Sequence, residues 1–182
     1  MVKVRKDKNN TYTKLLKDKK GISPVITTVI LVAVGIALAV AIGLWMSGLV
    51  STFTRFEKLE VSDAYAVAGT TSGTWTAYVT AKNTGSADAT ITMIMINGVP
   101  IVGSGVTTPS GVTGVQYSLN GGTSTNFPNT GVTVSVGSAA TFTISLTSSG
   151  TIGSTRLTSG ITLNIVLHSA AGKDYPASVT LP

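Results

Sequence analysis

The side chains able to carry acid–base, nucleophilic or metal chemistry are few, and they stand apart from one another. The chain has one histidine, His168, and no cysteine, so it offers neither a thiol nucleophile nor a disulfide. His168 ends a strand-like run, where a lone histidine reads as a rim residue. A Ser-His-Asp site needs a positioned serine and an orienting acid, and no Gly-x-Ser-x-Gly elbow occurs. Beyond residue 60 the acids are Asp63, Asp88 and Asp174, each isolated among polar residues. Glycoside cleavage needs two acids across a cleft, and a calcium loop needs several oxygens in one short stretch. Gly103-Ser104-Gly105 lacks the Gly-Lys-Ser/Thr that completes a phosphate loop. The expectation is no enzyme, no catalytic residue, no cofactor and no metal site.

The formal net charge of +6 raises the question of a nucleic-acid partner. Its distribution argues against one. Residues 1–20 carry eight Lys/Arg and two acids, a net +6, whereas residues 21–182 carry five of each, a net zero. A nucleic-acid binder places its basic patch on the folded domain. Single-strand platforms interleave bases with aromatics, but beside Trp75, Tyr78, Tyr117, Phe127, Phe142 and Tyr175 the region after residue 60 has only Lys82, Arg156 and Lys173. The basic block reads as a topology signal instead.

What it precedes is a long apolar segment. No charged residue occurs from Gly21 to Thr54, and Ile22–Val50 is almost wholly apolar. As a helix these residues extend roughly 43 Å at 1.5 Å per residue, and about 20 residues suffice to cross a bilayer. Ser23 suits the cap and Pro24 the first turn. The positive-inside rule keeps the basic side cytoplasmic and sends the C-terminal region out. Gly35, Ala39, Gly43 and Ser47 recur every fourth position, and Ala33, Ala37 and Ala41 repeat the spacing on what reads as a neighbouring stripe. Small residues so spaced let helices approach closely in lipid, although Gly and Ala are also common in membrane helices generally. Phe53, Phe56 and Leu59 continue the helical spacing, which extends the expected helix to residue 60.

An ordinary secretory signal has a short apolar core followed by its cleavage site. Here the core is too long, and the basic region lies ahead of it. The boundary reads Asp18-Lys19-Lys20-Gly21, then Ile22-Ser23-Pro24-Val25-Ile26. This basic pair, glycine and long apolar helix resemble the class III signal of type IV pilins, and the ISPVI start resembles the archaeal members. The resemblance implies cleavage by a prepilin peptidase between Gly21 and Ile22, with Lys19 and Lys20 as recognition charges. It further implies a pilus assembly membrane platform with its ATPase. Bacterial relatives usually carry Glu at the fifth mature residue, where this chain has Ile26. The organisation expected is a leader over 1–21, a helix over 22–60 serving as membrane anchor and then filament core, and an extracellular head over 61–182.

In the head, 39 of 122 residues are Ser or Thr and only six are charged. Period-2 alternation recurs in Thr74–Val79, Thr90–Ile96, Val132–Val136, Thr141–Leu146 and Ile161–Leu167, the mark of half-buried strands. Asn97-Gly98 is a type I′ hairpin signal. Asn83-Thr84-Gly85, Asn120-Gly121-Gly122 and Pro128-Asn129-Thr130-Gly131 read as loops. Seven to nine strands in an antiparallel immunoglobulin-like sandwich are expected, with a long surface loop within 103–130. The fold class is therefore α+β, a long hydrophobic helix followed by a sandwich. Cross-strand hydrogen bonding is one reason for so much threonine; a compositional habit of secreted proteins is the other. The glycosylation triplet Asn-x-Ser/Thr occurs only at Asn9, ahead of the apolar segment.

The functional expectation is a structural subunit of an extracellular, type IV pilus-like filament serving adhesion. Its partners are further copies of itself, and before assembly the cell membrane. A minor pilin or membrane-anchored adhesin that binds a ligand through its head, and an archaellin of a motility filament, remain open.

Overall fold

The computed structural model describes residues 24–182. It comprises one helix, α1 (Pro24–Phe53), followed by twelve strands. In chain order these are β1 (Leu59–Ala68), β2 (Thr74–Asn83), β3 (Ala89–Ile96), β4 (Val99–Gly103), β5 (Val112–Leu119) and β6 (Thr125–Asn126). There follow β7 (Val132–Val134), β8 (Ala139–Thr147), β9 (Thr151–Ile152), β10 (Thr155–Arg156), β11 (Thr162–Ser169) and β12 (Asp174–Thr180). The eight strands of five residues or more match the seven to nine expected, and the others have only two or three residues. The chain divides into two compact units, 1–51 and 52–182.

The second unit is an antiparallel sandwich. One sheet runs β1-β2-β8-β5-β6 and the other β12-β11-β3-β4, with β7 also pairing β3. Labelling β1, β2, β3, β4, β5, β8, β11 and β12 as A, B, C, C′, D, E, F and G gives ABED against GFCC′, the strand order of the immunoglobulin fold. Alternation sets the inner faces. Trp75, Ala77, Val79 and Ala81 on β2 and Ala140, Phe142, Ile144 and Leu146 on β8 are buried. So are Ile91, Ile94 and Ile96 on β3 and Leu163, Ile165 and Leu167 on β11. The spacing from Ile91 to Ile94 breaks strict alternation, and the register shift in the pairing of β3 with β11, which passes over Thr92, absorbs the extra residue. Gly103 lies opposite Met93 with φ 143°, and a Cβ there would stand 2.9 Å from the Thr92 carbonyl oxygen.

Turn chemistry follows the sequence. Asn97 and Gly98 have φ 51° and 80°, both positive as a type I′ turn requires, and join β3 to β4. Asn120 and Gly121 repeat the pattern with φ 51° and 73°. Threonine content acquires a structural cause. Thr80–Thr141, Thr90–Thr133 and Thr162–Thr180 face each other across paired strands with Oγ1–Oγ1 distances of 3.0, 2.9 and 3.0 Å. Each is a cross-strand hydroxyl pair of the stabilising kind.

Two expectations are corrected. The helix does not reach residue 60: it ends at Phe53, and Leu59 and Glu60 open β1. The cause lies in the loop between β2 and β3. The amides of Ser86 and Ala87 donate to Phe56 O, and those of Thr84 and Gly85 donate to Lys58 O. The Phe56 amide donates to Ser86 Oγ at 3.0 Å, and Ser86 Oγ donates to Thr54 O. The backbone of 54–58 is thus bonded sideways to the sandwich, a tertiary pairing that overrides helical spacing. The second correction concerns 103–130, which holds β5 between β8 and β6. Only Val112 and Val115 of β5 are buried, so its apolar alternation is too sparse to stand out in the sequence.

Candidate assembly surface

Proline in the first turn and a run without charge give α1 its start and length. Its 30 residues extend about 45 Å. It is the one helix among the described residues long and apolar enough to cross a membrane. Every large side chain described along it is exposed, Leu31, Leu44 and Trp45 by 71, 72 and 69%. The apolar surface covers all sides rather than one stripe. Such a helix belongs in lipid or among other protein surfaces. The Thr28 hydroxyl suits either setting: its Oγ1 donates to Val25 O at 2.8 Å and is satisfied within the helix.

The small residues named from sequence all lie on this helix and are exposed. Gly35 and Gly43 have no positive φ, and a Cβ on either would meet nothing within 4 Å. Nothing in this chain's own packing therefore calls for glycine there. Helical geometry changes the relation between the two rows. At about 100° per residue, positions two apart differ by roughly 200°. Ala33, Ala37 and Ala41 thus lie on nearly the opposite side from Gly35, Ala39 and Gly43 at the same height, rather than on a neighbouring stripe. Each row winds by roughly 40° per step, so two partners on opposite sides could each approach closely. The cleavage residues Lys19, Lys20, Gly21 and Ile22 lie outside the described residues.

In the sandwich, the sequence-singled groups do not gather into a site. His168 Nδ1 lies 2.6 Å from Asp174 Oδ1 across the β11–β12 pair, and both side chains are substantially exposed. Asp88 Oδ1 accepts from the Val136 amide at 3.0 Å, so this acid braces a turn. Among the described residues no three His, Cys, Asp or Glu side chains cluster as a metal site.

What sequence reasoning missed is how firmly the stretch after α1 belongs to the sandwich. Lys173 Nζ donates to Glu57 O at 2.6 Å, and the Tyr175 hydroxyl donates to Glu57 Oε1 at 3.3 Å. Burial raises the Tyr175 phenol above its ordinary value, and the Glu57 carboxylate adds to the rise. Lys58 Nζ lies 2.6 Å from Glu60 Oε1; its hydrogen bond and charge hold the Glu60 carboxyl below the usual range. Behind these contacts stands Asn83, only 1% exposed. Its Nδ2 donates to Ala87 O at 2.9 Å and Val134 O at 2.8 Å, and its Oδ1 accepts from the Gly85 amide at 2.9 Å. The one foreshadowing signal was Asn83-Thr84-Gly85, legible as a loop but not as a clamp.

No protein-family model matches the chain, and no curated protein matches it. Among solved structures, that of the Iho670 flagellar-like filament aligns over 87% of this chain and 98% of its own, at 15% identity and a TM-score of 0.33.

Proposed function

We propose that the chain is a structural subunit of an extracellular, type IV pilus-like filament, held together by packing of its apolar helices. The observation that carries this reading is a 30-residue helix exposed on all sides, in a chain whose sandwich already has a complete core of its own. A simple membrane anchor needs about 20 apolar residues, fewer than the 30 here, and a Cβ at Gly35 or Gly43 would meet nothing within 4 Å. Close approach by a second helix gives those glycines a purpose.

In this reading the precursor sits in the membrane with its basic end cytoplasmic and its sandwich outside. A prepilin peptidase cuts between Gly21 and Ile22 and removes the +6 block, which is the whole formal net charge of the chain. A membrane platform and its ATPase then move the helix from lipid into a bundle of identical helices. In lipid, close packing at Gly35, Ala39 and Gly43 favours association. Once out of lipid, each buried Leu or Ile contributes on the order of 1.5–3 kcal/mol. The role assigned is structural, with no catalytic step and no cofactor.

The test is the N-terminal sequence of this protein in surface material from native cells. A start at Ile22 in a preparation containing filaments supports the reading. A start at Met1 or Val2 in the membrane fraction overturns it in favour of an anchored surface domain.

A further inference from the structure

The outward face of the first sheet carries a row of side chains whose polar atoms make no hydrogen bond within the described residues. Cross-strand register places Tyr65 of β1 opposite Tyr78 of β2, Tyr78 opposite Thr143 of β8, Thr143 opposite Gln116 of β5, and Gln116 opposite Asn126 of β6. Their neighbours along the strands, such as Ala77, Val79, Phe142, Ile144 and Val115, point into the core, so all five residues of the row point away from it. Five strands at about 4.8 Å spacing make the row roughly 19 Å long. The two phenol rings are stacked at 5.1 Å with 22° between their planes. Each ring therefore covers one face of the other; Tyr65, on the edge strand, is 51% exposed, whereas Tyr78 and Thr143 are half-buried.

The row differs from the rest of the sheet in its hydrogen bonding. One register step away, Thr80 and Thr141 bond to each other. Among the described residues no side chain in the Tyr65–Asn126 row has an intramolecular hydrogen-bond partner. Two phenols, one hydroxyl and two carboxamides thus stand side by side, each able to donate and accept. The row itself holds no charge; on this face the Asp63 position lies next to Tyr65 along β1, and Glu60 and Lys82 lie farther along β1 and β2.

We propose that this row is a binding platform for an uncharged, extended saccharide. Neutrality selects against acidic polymers, which need cations. A sugar ring presents C–H faces to an aromatic ring and hydroxyls at its rim, and the row offers ring faces at one end and carboxamides at the other. A protein partner would seek an apolar centre ringed by polar groups, whereas the row's centre is Thr143. The platform requires neither cleavage of the leader nor filament assembly, so it stands or falls separately from the proposed assembly.

The experiment uses the full chain in a zwitterionic, sugar-free detergent. Calorimetric titrations employ cello-, malto-, manno- and chito-hexaose, with a heparin hexasaccharide as the anionic comparison. Tyr65→Ala and Gln116→Ala probe the row, and Thr162→Ala on the other sheet serves as control. The expected result is saturable binding of at least one uncharged hexasaccharide, weakened about tenfold or more by each row variant and unchanged by the control, with no heparin binding. Light scattering of the same samples reports self-association. Absence of binding by every uncharged hexasaccharide at millimolar concentration overturns the proposal. So does binding that survives both row variants, or tighter binding of heparin. Row variants that change self-association instead would assign the face to a second copy of the chain. Melting curves of each variant confirm that a loss is not unfolding.

Discussion

Replacing Asn83 by Ala tests whether the sandwich depends on the hidden amide that shapes its β2–β3 loop. The side chain is 1% exposed and makes three hydrogen bonds, to Ala87 O, Val134 O and the Gly85 amide. The three partners do not suffer equally. Gly85 N also donates to Lys58 O at 3.1 Å, so it retains a partner. Val134 O also stands opposite Ala89 in the β3–β7 ladder, so the main loss falls on Ala87 O, at about 1–3 kcal/mol for a buried group left unsatisfied, with about 1 kcal/mol for each further hydrogen bond lost. Roughly 3–5 kcal/mol is expected in total, a large part of the 5–15 kcal/mol typical of a domain. Asn83→Asp sharpens the test. An ionised carboxylate would face two carbonyl oxygens, which raises its folded pKa above the unfolded value. That variant should therefore regain stability as pH falls through the folded pKa, because the protonated acid can donate to one carbonyl. The assay is urea unfolding of the full chain in micelles, in a Trp45→Phe background so that buried Trp75 supplies the signal. A loss below about 1 kcal/mol for Asn83→Ala, or an Asp variant indifferent to pH, would refute the reasoning.

Gly85→Ala should loosen the stretch after α1, because the added Cβ would stand 2.6 Å from both Lys58 N and Phe56 O; a cost of about 1–3 kcal/mol is expected, read as faster trypsin cleavage after Arg55 and Lys58, and an unchanged rate would show the clamp unimportant. Leu at Gly35, Ala39 and Gly43 together should abolish filaments while membrane insertion persists; normal filaments seen by electron microscopy would defeat the packing claim. Stability should be flat across the middle of the pH range. Glu60, held below 4.5 by Lys58, contributes above that value and loses its contribution as pH falls through its folded pKa. Tyr175, held above 10.0, contributes fully below that value and loses its contribution as pH rises through its folded pKa. Melts from acid to alkaline pH should show decline only at the two ends; a step near neutrality would refute this account.

Legibility in the sequence tracked how local each cause is. Uniform apolarity from Ile22 to Val50 and alternation in Thr141–Leu146 need no knowledge of the rest of the chain, and α1 and β8 followed from them. Asn97-Gly98 is equally self-contained, since both residues tolerate the positive φ that the turn imposes. The end of α1 was not legible, because residues 54–58 are bonded to a loop some thirty residues ahead. Helical spacing of Phe53, Phe56 and Leu59 reports only what those residues could do in isolation. β5 was hidden for a related reason: Val112 and Val115 are its only buried members, and its strand neighbours supply the order its own sequence lacks. The relation of the small-residue rows was computable from helical pitch alone; reading two interleaved i, i+4 series as adjacent overlooks the roughly 200° between their members.

The two units solve opposite problems. In the sandwich, among the described residues, no buried side-chain nitrogen or oxygen lacks a hydrogen-bond partner. Its polar surface is rich in threonine and poor in charge, so it does not repel another copy of its own kind. The helix has the reverse character: its backbone is internally bonded, yet its whole apolar surface is left for something else to cover. Lipid can cover it temporarily and without specificity, and glycine and alanine are common in membrane helices. In the proposed filament the same two rows would let identical helices approach one another closely. The division predicts that substitutions separate cleanly. Asn83→Ala should unfold the sandwich at lower urea while leaving helix insertion unchanged, and leucines on α1 should stop assembly while leaving the sandwich's unfolding curve where it was. A leucine variant that also shifted that curve would show that the helix contributes to the sandwich's stability.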